Sequence, residues 1–153
     1  MDCSNLHISV AGKRDVVPIL DLLALVNLPH EGVEEHLDGF IVAKNSDGRL
    51  AGTIGLERYG SVGLLRSAAV MPGMQKCGVG ACLTSALLER AAGDGVEKVV
   101  LLTSTARDFF AGKFGFVECE RRQFDEQLGH SDEWNLPRCS TAVCMSLDLQ
   151  RRG

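Results

Sequence analysis

From Val70 to Ala81 the chain reads Val-Met-Pro-Gly-Met-Gln-Lys-Cys-Gly-Val-Gly-Ala: an apolar run, a Pro-Gly turn, a polar loop, then two glycines one residue apart where a helix begins. Glycines at that point leave backbone N–H groups uncovered, where a helix's first donors lack internal partners and its dipole is positive. Such a place suits an anion, and phosphate above all. The residues concerned are Gln75, Lys76, Cys77, Gly78, Val79, Gly80 and Ala81. The spacing is neither the dinucleotide G-x-G-x-x-G, because Leu83 replaces the third glycine, nor a P-loop, which needs G-K-[ST].

A second candidate is a charged pair in apolar surroundings. Arg66 lies between Leu64-Leu65 and Ser67-Ala68-Ala69, a strand-like run in which a guanidinium needs a partner. It is suited to grip a carboxylate with two hydrogen bonds. If the turn within Tyr59–Val62 has two or four residues, Glu57 faces Leu64 and lies diagonal to Arg66 on one face; a three-residue turn sends them to opposite faces. Arg66 then either binds a ligand, pairs internally with Glu57, or faces solvent. Gly55, across from Arg66 in the preferred register, leaves room beside it.

The elements that must position these residues follow from periodicity. Leu6–Val10 alternates as a first strand, and 15–28 has helical spacing up to Pro29. The acidic stretch 30–36 reads as a short helical turn or two. Residues 39–44, 50–58 and 63–70 form an antiparallel meander, with Asn45-Ser46-Asp47-Gly48 as a hairpin turn. A helix over 81–92, turning Leu83, Ala86, Leu87 and Ala91 inward, precedes a buried strand over 96–102, which makes a parallel β-α-β unit. A short helix over 106–113, capped from Thr103-Ser104-Thr105, leads to a strand at 114–117. Residues 118–138 are polar and irregular, anchored by Trp134, and a last strand closes the chain within 139–149.

A chain of 153 residues corresponds to one domain, 1–153, and 45% hydrophobic with 24% charged residues is an ordinary globular composition. A net charge of −4 argues against nucleic acid or an anionic membrane as partner. No leader pattern or long apolar run is present, so a cytoplasmic protein is expected. Six cysteines without a C-x-x-C pair are expected as free thiols. No metal site is expected: His30 and His36 do not share a helix face as paired ligands do. The oligomeric state stays open, a homodimer included.

The string V-x-P-x-x-Q-x-x-G-x-G-A, with Gln75, Gly78 and Gly80 at its defining positions, resembles the acyl-CoA pyrophosphate loop of the GNAT superfamily of N-acetyltransferases. Ala106-Arg107-Asp108-Phe109-Phe110-Ala111-Gly112-Lys113-Phe114-Gly115-Phe116 resembles its second motif, A-x-x-F-Y-x-x-x-G-F. The two motifs stand in the right order within a compatible arrangement of elements. The fold implied is α/β, the GNAT fold: a mixed, mostly antiparallel sheet splayed in the middle after Val70, with flanking helices. Residues Leu101–Phe110 and the ending Arg138–Met145 look like the N-acetyltransferases found with arsenic-resistance genes, of the arsinothricin and phosphinothricin type, and more distantly like N-acetylglutamate synthase.

The resemblance implies acetyl-CoA as cosubstrate and a small amino acid, or a glutamate-like antimetabolite, as acceptor. Acetyl passes directly from thioester to amine. Backbone groups near Ala69 and Val70 would meet the thioester arm and its oxyanion, with Phe109 and Phe110 beside the cofactor unless they belong to the core. Glu57 is the candidate base, directly or through water, and Thr103 stands where the superfamily commonly has Asn. Arg66, and by resemblance Arg138 and Ser140, are candidates for the substrate's carboxylate. Phe110 replaces the usual acid Tyr, so the departing thiolate has no phenol to protonate it; a thiol pKa near 8.5 leaves it a tolerable leaving group. The competing readings are a non-catalytic acyl-CoA-binding module and, further off, a thiol-based binder of arsenicals or metal.

Overall fold

The structure, a computed structural model, describes residues 5–75, 77–139 and 141–149. Lys76 and Ser140, and the side chain of Arg138, lie outside what is described. The strands are β1 (His7–Val10), β2 (Phe40–Lys44), β3 (Leu50–Tyr59), β4 (Val62–Val70), β5 (Lys98–Thr103), β6 (Val117–Glu118) and β7 (Val143–Asp148). The helices are α1 (Val16–Leu25), α2 (Val79–Gly93), α3 (Arg107–Phe114) and α4 (Asp125–Leu128). The strands form a seven-stranded sheet in the order β1-β2-β3-β4-β5-β7-β6. β4 and β5 run parallel, whereas β1 with β2, β2 with β3, β5 with β7 and β6 with β7 run antiparallel. This is the mixed, mostly antiparallel α/β architecture that the motifs implied.

The chain divides into two compact units. The first takes residues up to Leu56 and Ser67–Arg90. Its core joins Ile19, Leu22 and Leu23 of α1, one face at helical spacing, to Phe40, Val42 and Ala69. α1 ends before Pro29: Asn27 takes a left-handed φ of 62°, and the Leu28 N–H bonds back to the Leu23 carbonyl at 2.9 Å, closing the helix. The 30–36 stretch forms successive turns rather than a helix. Gly52 is required by close packing, because a Cβ there would stand 2.9 Å from the Ala69 carbonyl and 2.9 Å from Leu83 Cδ1. Gly55 leaves no room, contrary to expectation: the Phe40 ring comes within 2.5 Å of where its Cβ would be.

The second unit takes Glu57–Arg66 and the chain from Ala91 onward. Val99, Val100 and Leu101 of β5 are buried between β4 and β7, as expected of an apolar run flanked on both edges. Parallel pairing of β4 with β5 runs from Val62↔Lys98 to Leu65↔Leu101, while β5 pairs with β7 as far as Thr103. The β4–β5 ladder ends at Leu65↔Leu101. Further along β4, Ser67 takes a left-handed φ of 57°.

The expected strand at 114–117 is corrected in the same unit. Phe114 closes α3, Gly115 caps it at φ 79°, and only Val117–Glu118 remains as strand. The segment after β6 is more ordered than its polarity suggested. Trp134, 2% exposed, donates through Nε1 to Asp125 Oδ1 at 2.9 Å, under the Arg121 guanidinium 4.5 Å from the ring centroid. Arg121 also donates to the carbonyls of Trp134 and Cys139. The anchoring role expected of this aromatic is what the structure has.

Candidate active site

In the first unit, the turn after β4 delivers the chain to α2 through two left-handed glycines, Gly73 at φ 91° and Gly78 at φ 77°. The Met71 N–H bonds to Ala51 O, and Met74 and Cys77 N–H groups close successive turns on Met71 and Met74 carbonyls. Cys82 N–H bonds to Gly78 O, the first intrahelical bond of α2, so Val79, Gly80 and Ala81 carry first-turn donors that point along the helix axis. Val79 buries its side chain completely and contributes to any ligand only through its backbone. Gln75 is exposed, its Nε2 at 3.5 Å from Val70 O, a long contact within the loop. Gly80 and Ala81 are half-buried, Gly78 exposed and Cys77 half-buried. Ala69 is buried and Val70 half-buried at the end of β4. The result is a short turn that ends on the first-turn N–H groups of a helix, which fits an anion.

The second unit contains a buried ionic cluster. β3 and β4 are joined by the two-residue turn Gly60-Ser61, with Gly60 at φ 68°, one of the two turn lengths that put Glu57 and Arg66 on one face. Arg66 Nη1 donates to Glu57 Oε2 at 2.7 Å, and neither side chain has any exposed surface. The solvent-facing alternative for Arg66 is thereby overturned. Tyr59 donates its hydroxyl to Glu57 Oε1 at 2.6 Å, and Arg66 Nε lies 3.5 Å from Glu133 Oε1. Burial, then the hydrogen bond to Glu57 and that carboxylate's charge, push the Tyr59 phenol well above its ordinary pKa; a side-chain bond with Ser131 works the other way. Tyr59 therefore stays protonated and donating to Glu57.

Glu133 and Tyr59 were not singled out from sequence. Tyr59 shares the face of Glu57, since residues two apart in a strand point the same way. Glu133 comes from an aperiodic segment, and the only hint was that a buried guanidinium calls for carboxylates.

Thr103 ends β5, and its Oγ1 accepts the Ala106 N–H at 2.9 Å, tying the strand end to the start of α3. α3 carries Phe110, 4% exposed, packed edge-on to Phe109 at 5.0 Å and to Phe116 at 5.5 Å. Phe109 is half-buried and also meets Phe114 at 5.7 Å. Phe110 thus has the surroundings of a core aromatic. Of the other candidates, Arg138 falls in the turn Pro137–Cys139. Cys77, Cys119, Cys139 and Cys144 are free thiols, whereas Cys82 is disulfide-bonded, against the expectation that all would be free. Among the described residues no three His, Cys, Asp or Glu side chains converge as a metal would require, and no helix is long and apolar enough to cross a membrane.

A strand, a glycine-bearing turn and a helix belong to a chain with a mixed seven-stranded sheet, and comparison with known proteins gives its class. The model of the acetyltransferase (GNAT) family matches residues 16–116, and the chain belongs to that family. Among solved structures, the N-acetylglutamate synthase of Neisseria gonorrhoeae, complexed with coenzyme A and L-arginine, is similar with a TM-score of 0.78 and 22% identity, over 95% of this chain and 34% of that one. This chain thus spans about a third of the synthase's length. Rv2747 of Mycobacterium tuberculosis, solved with CoA and a second ligand, gives 0.77 at 24% identity over 93% of this chain and 98% of that one. A GNAT-family acetyltransferase of Staphylococcus aureus gives 0.78 at 16% identity over 95% and 99%. At such identities the likeness is one of fold. No curated protein matches the chain.

Proposed function

We propose that the protein is an acetyl-CoA-dependent N-acetyltransferase that passes acetyl directly to the amine of a small amino acid or a glutamate-like antimetabolite, as one domain over 1–153. The observation that carries this reading is the turn into α2, where Gly78 and Gly80 precede and begin a helix whose first N–H groups suit a pyrophosphate, in a chain of the acetyltransferase family. Coenzyme A in two of the similar structures supports the choice of anion. Gln75, Cys77 and the backbone of Val79–Ala81 would hold the pyrophosphate, with Lys76 a further contact. Backbone groups at Ala69 and Val70 would receive the thioester arm. The cosubstrate supplies the activated acetyl group.

On the acceptor side, an ammonium must lose a proton before it can attack. With an α-amino pKa near 8 that is modest work, and Glu57, hydrogen-bonded to Tyr59 and Arg66, is the proposed base. Arg66 would recognise the substrate's carboxylate, Glu133 yielding its long 3.5 Å contact as the ligand arrives, with Arg138 and Ser140 assisting. Thr103 would position the end of β5. The N-acetyl-glutamate bound to the gonococcal synthase in a second structure and the sequence resemblance to the arsenic-resistance acetyltransferases both favour an amino-acid acceptor. Incubation with acetyl-CoA and a panel of amines that includes glutamate and phosphinothricin, followed by thiol release, tests the reading; release with at least one amine is expected, and none with any amine would sink it. Phe110 at the acid position favours a second reading, a module that binds acyl-CoA without turnover; tight CoA binding in the absence of product would select it.

A further inference from the structure

Cys119 and Cys144 lie outside the machinery described above. The β6–β7 register, Val117↔Ser146 and Glu118↔Met145, continues to the pair Cys119 and Cys144, and the Cys119 N–H bonds to the Cys144 carbonyl at 2.9 Å. Residues directly opposite in an antiparallel pair have Cα atoms about 4.5–5.5 Å apart, inside the span a disulfide bridges. The two Sγ atoms are 3.1 Å apart, so a side-chain rotation of about 1 Å reaches bonding distance. Their environments differ in a useful way: Cys144 is 5% exposed within the cluster of Val100, Phe124, Leu128 and Trp134, while Cys119 is half-buried at its margin.

We propose that Cys119 and Cys144 form an oxidant-responsive dithiol that closes to an intramolecular disulfide with a peroxide. Cys119, the reachable thiol, attacks as thiolate on hydrogen peroxide, giving a sulfenic acid and hydroxide; the Cys144 sulfur then attacks that sulfur, forming the S–S bond as water leaves. Two thiols lose two protons and two electrons, and the peroxide takes both to become two waters. Burial and the neighbouring Cys119 thiol push the Cys144 pKa up, which matches its part as the resolving rather than the first-reacting sulfur. The bond would fasten β7 to the start of the segment that carries Arg121, Trp134 and Glu133.

Full-length protein, reduced and then titrated with hydrogen peroxide, is blocked by alkylation and digested with trypsin without reductant. The peptide bearing Cys119 is expected joined to the one bearing Cys139 and Cys144, about 2 Da lighter than the two separately and released by dithiothreitol. The link should survive in Cys139→Ser and vanish in Cys144→Ser and in Cys119→Ser; the partly exposed Cys119 serves if Cys144→Ser misfolds. No link, or one lost in Cys139→Ser, would overturn the proposal.

Discussion

Gly80→Asp separates anion binding from folding. Gly80 is the second residue of α2, so an aspartate there adds a charge beside the first-turn N–H groups. For the helix this is favourable: a carboxylate at the N-terminus contributes about 0.3–1 kcal/mol, and glycine is a poor helix former. For a pyrophosphate it is not. Two like charges at about 5 Å from the new carboxylate raise the binding free energy by about 1.7 kcal/mol in water-like dielectric and about 7 kcal/mol near a protein surface. The variant should bind CoA at least ~15-fold more weakly while melting no lower than the parent. Titration calorimetry with CoA, beside a thermal melt and with Gly80→Ala as the control for bulk alone, measures both. CoA affinity within about twofold of the parent would refute the assignment of the turn.

Three further expectations follow from the buried charges. Arg66→Met should destabilise the fold by about 3–5 kcal/mol in urea titrations, and more than Glu57→Leu, because it takes the cation from two carboxylates where the other leaves Arg66 with Glu133. The double variant should lose less than the sum of the singles; strict additivity would mean the pair is not coupled. Tyr59 is the chain's single tyrosine, so the ultraviolet tyrosinate band reports it alone. Its folded pKa is raised, so the stability it confers is full below about pH 10 and falls as pH rises further; the band should stay suppressed above pH 10 until circular dichroism shows unfolding, and tyrosinate forming near pH 10 in folded protein would contradict the network. Asp15, 2.8 Å from Lys44 Nζ, is the acid counterpart. Burial raises its carboxyl pKa, but the Gly12 N–H and Lys44 outweigh this and hold it below the ordinary range. Its contribution is therefore present above about pH 4 and lost as pH falls through the folded value. Asp15→Asn should be less stable than the parent at pH 7 and converge with it at pH 2; an unchanged gap would remove the carboxylate from the account.

What the sequence disclosed and what it hid divide along physical lines. The meander, α2 and β5 were legible because each has an unbroken period or an apolar run. The turn into α2 was legible because glycine, proline and glutamine at fixed spacing form a local motif. Glu57 and Arg66 came together because a two-residue turn dictates register. The ends were less legible: Phe114 reads as strand by its neighbours, but Gly115 takes the left-handed cap that keeps it in α3. Ser67 takes a left-handed φ that serine seldom adopts, and no sequence pattern announces it. Glu133 and the Cys119–Cys144 pair arise from tertiary proximity alone, and the room beside Gly55 proved to be filled by a ring from the adjacent strand.

The central claim, direct transfer from a thioester held at the turn into α2 to an amine, is tested most directly by initial rates with acetyl-CoA and the best acceptor varied together. Direct attack within a ternary complex predicts intersecting double-reciprocal lines and no acetylated enzyme in the mass spectrum. Parallel lines with an acetyl group retained on the protein, as a covalent intermediate produces, would contradict it.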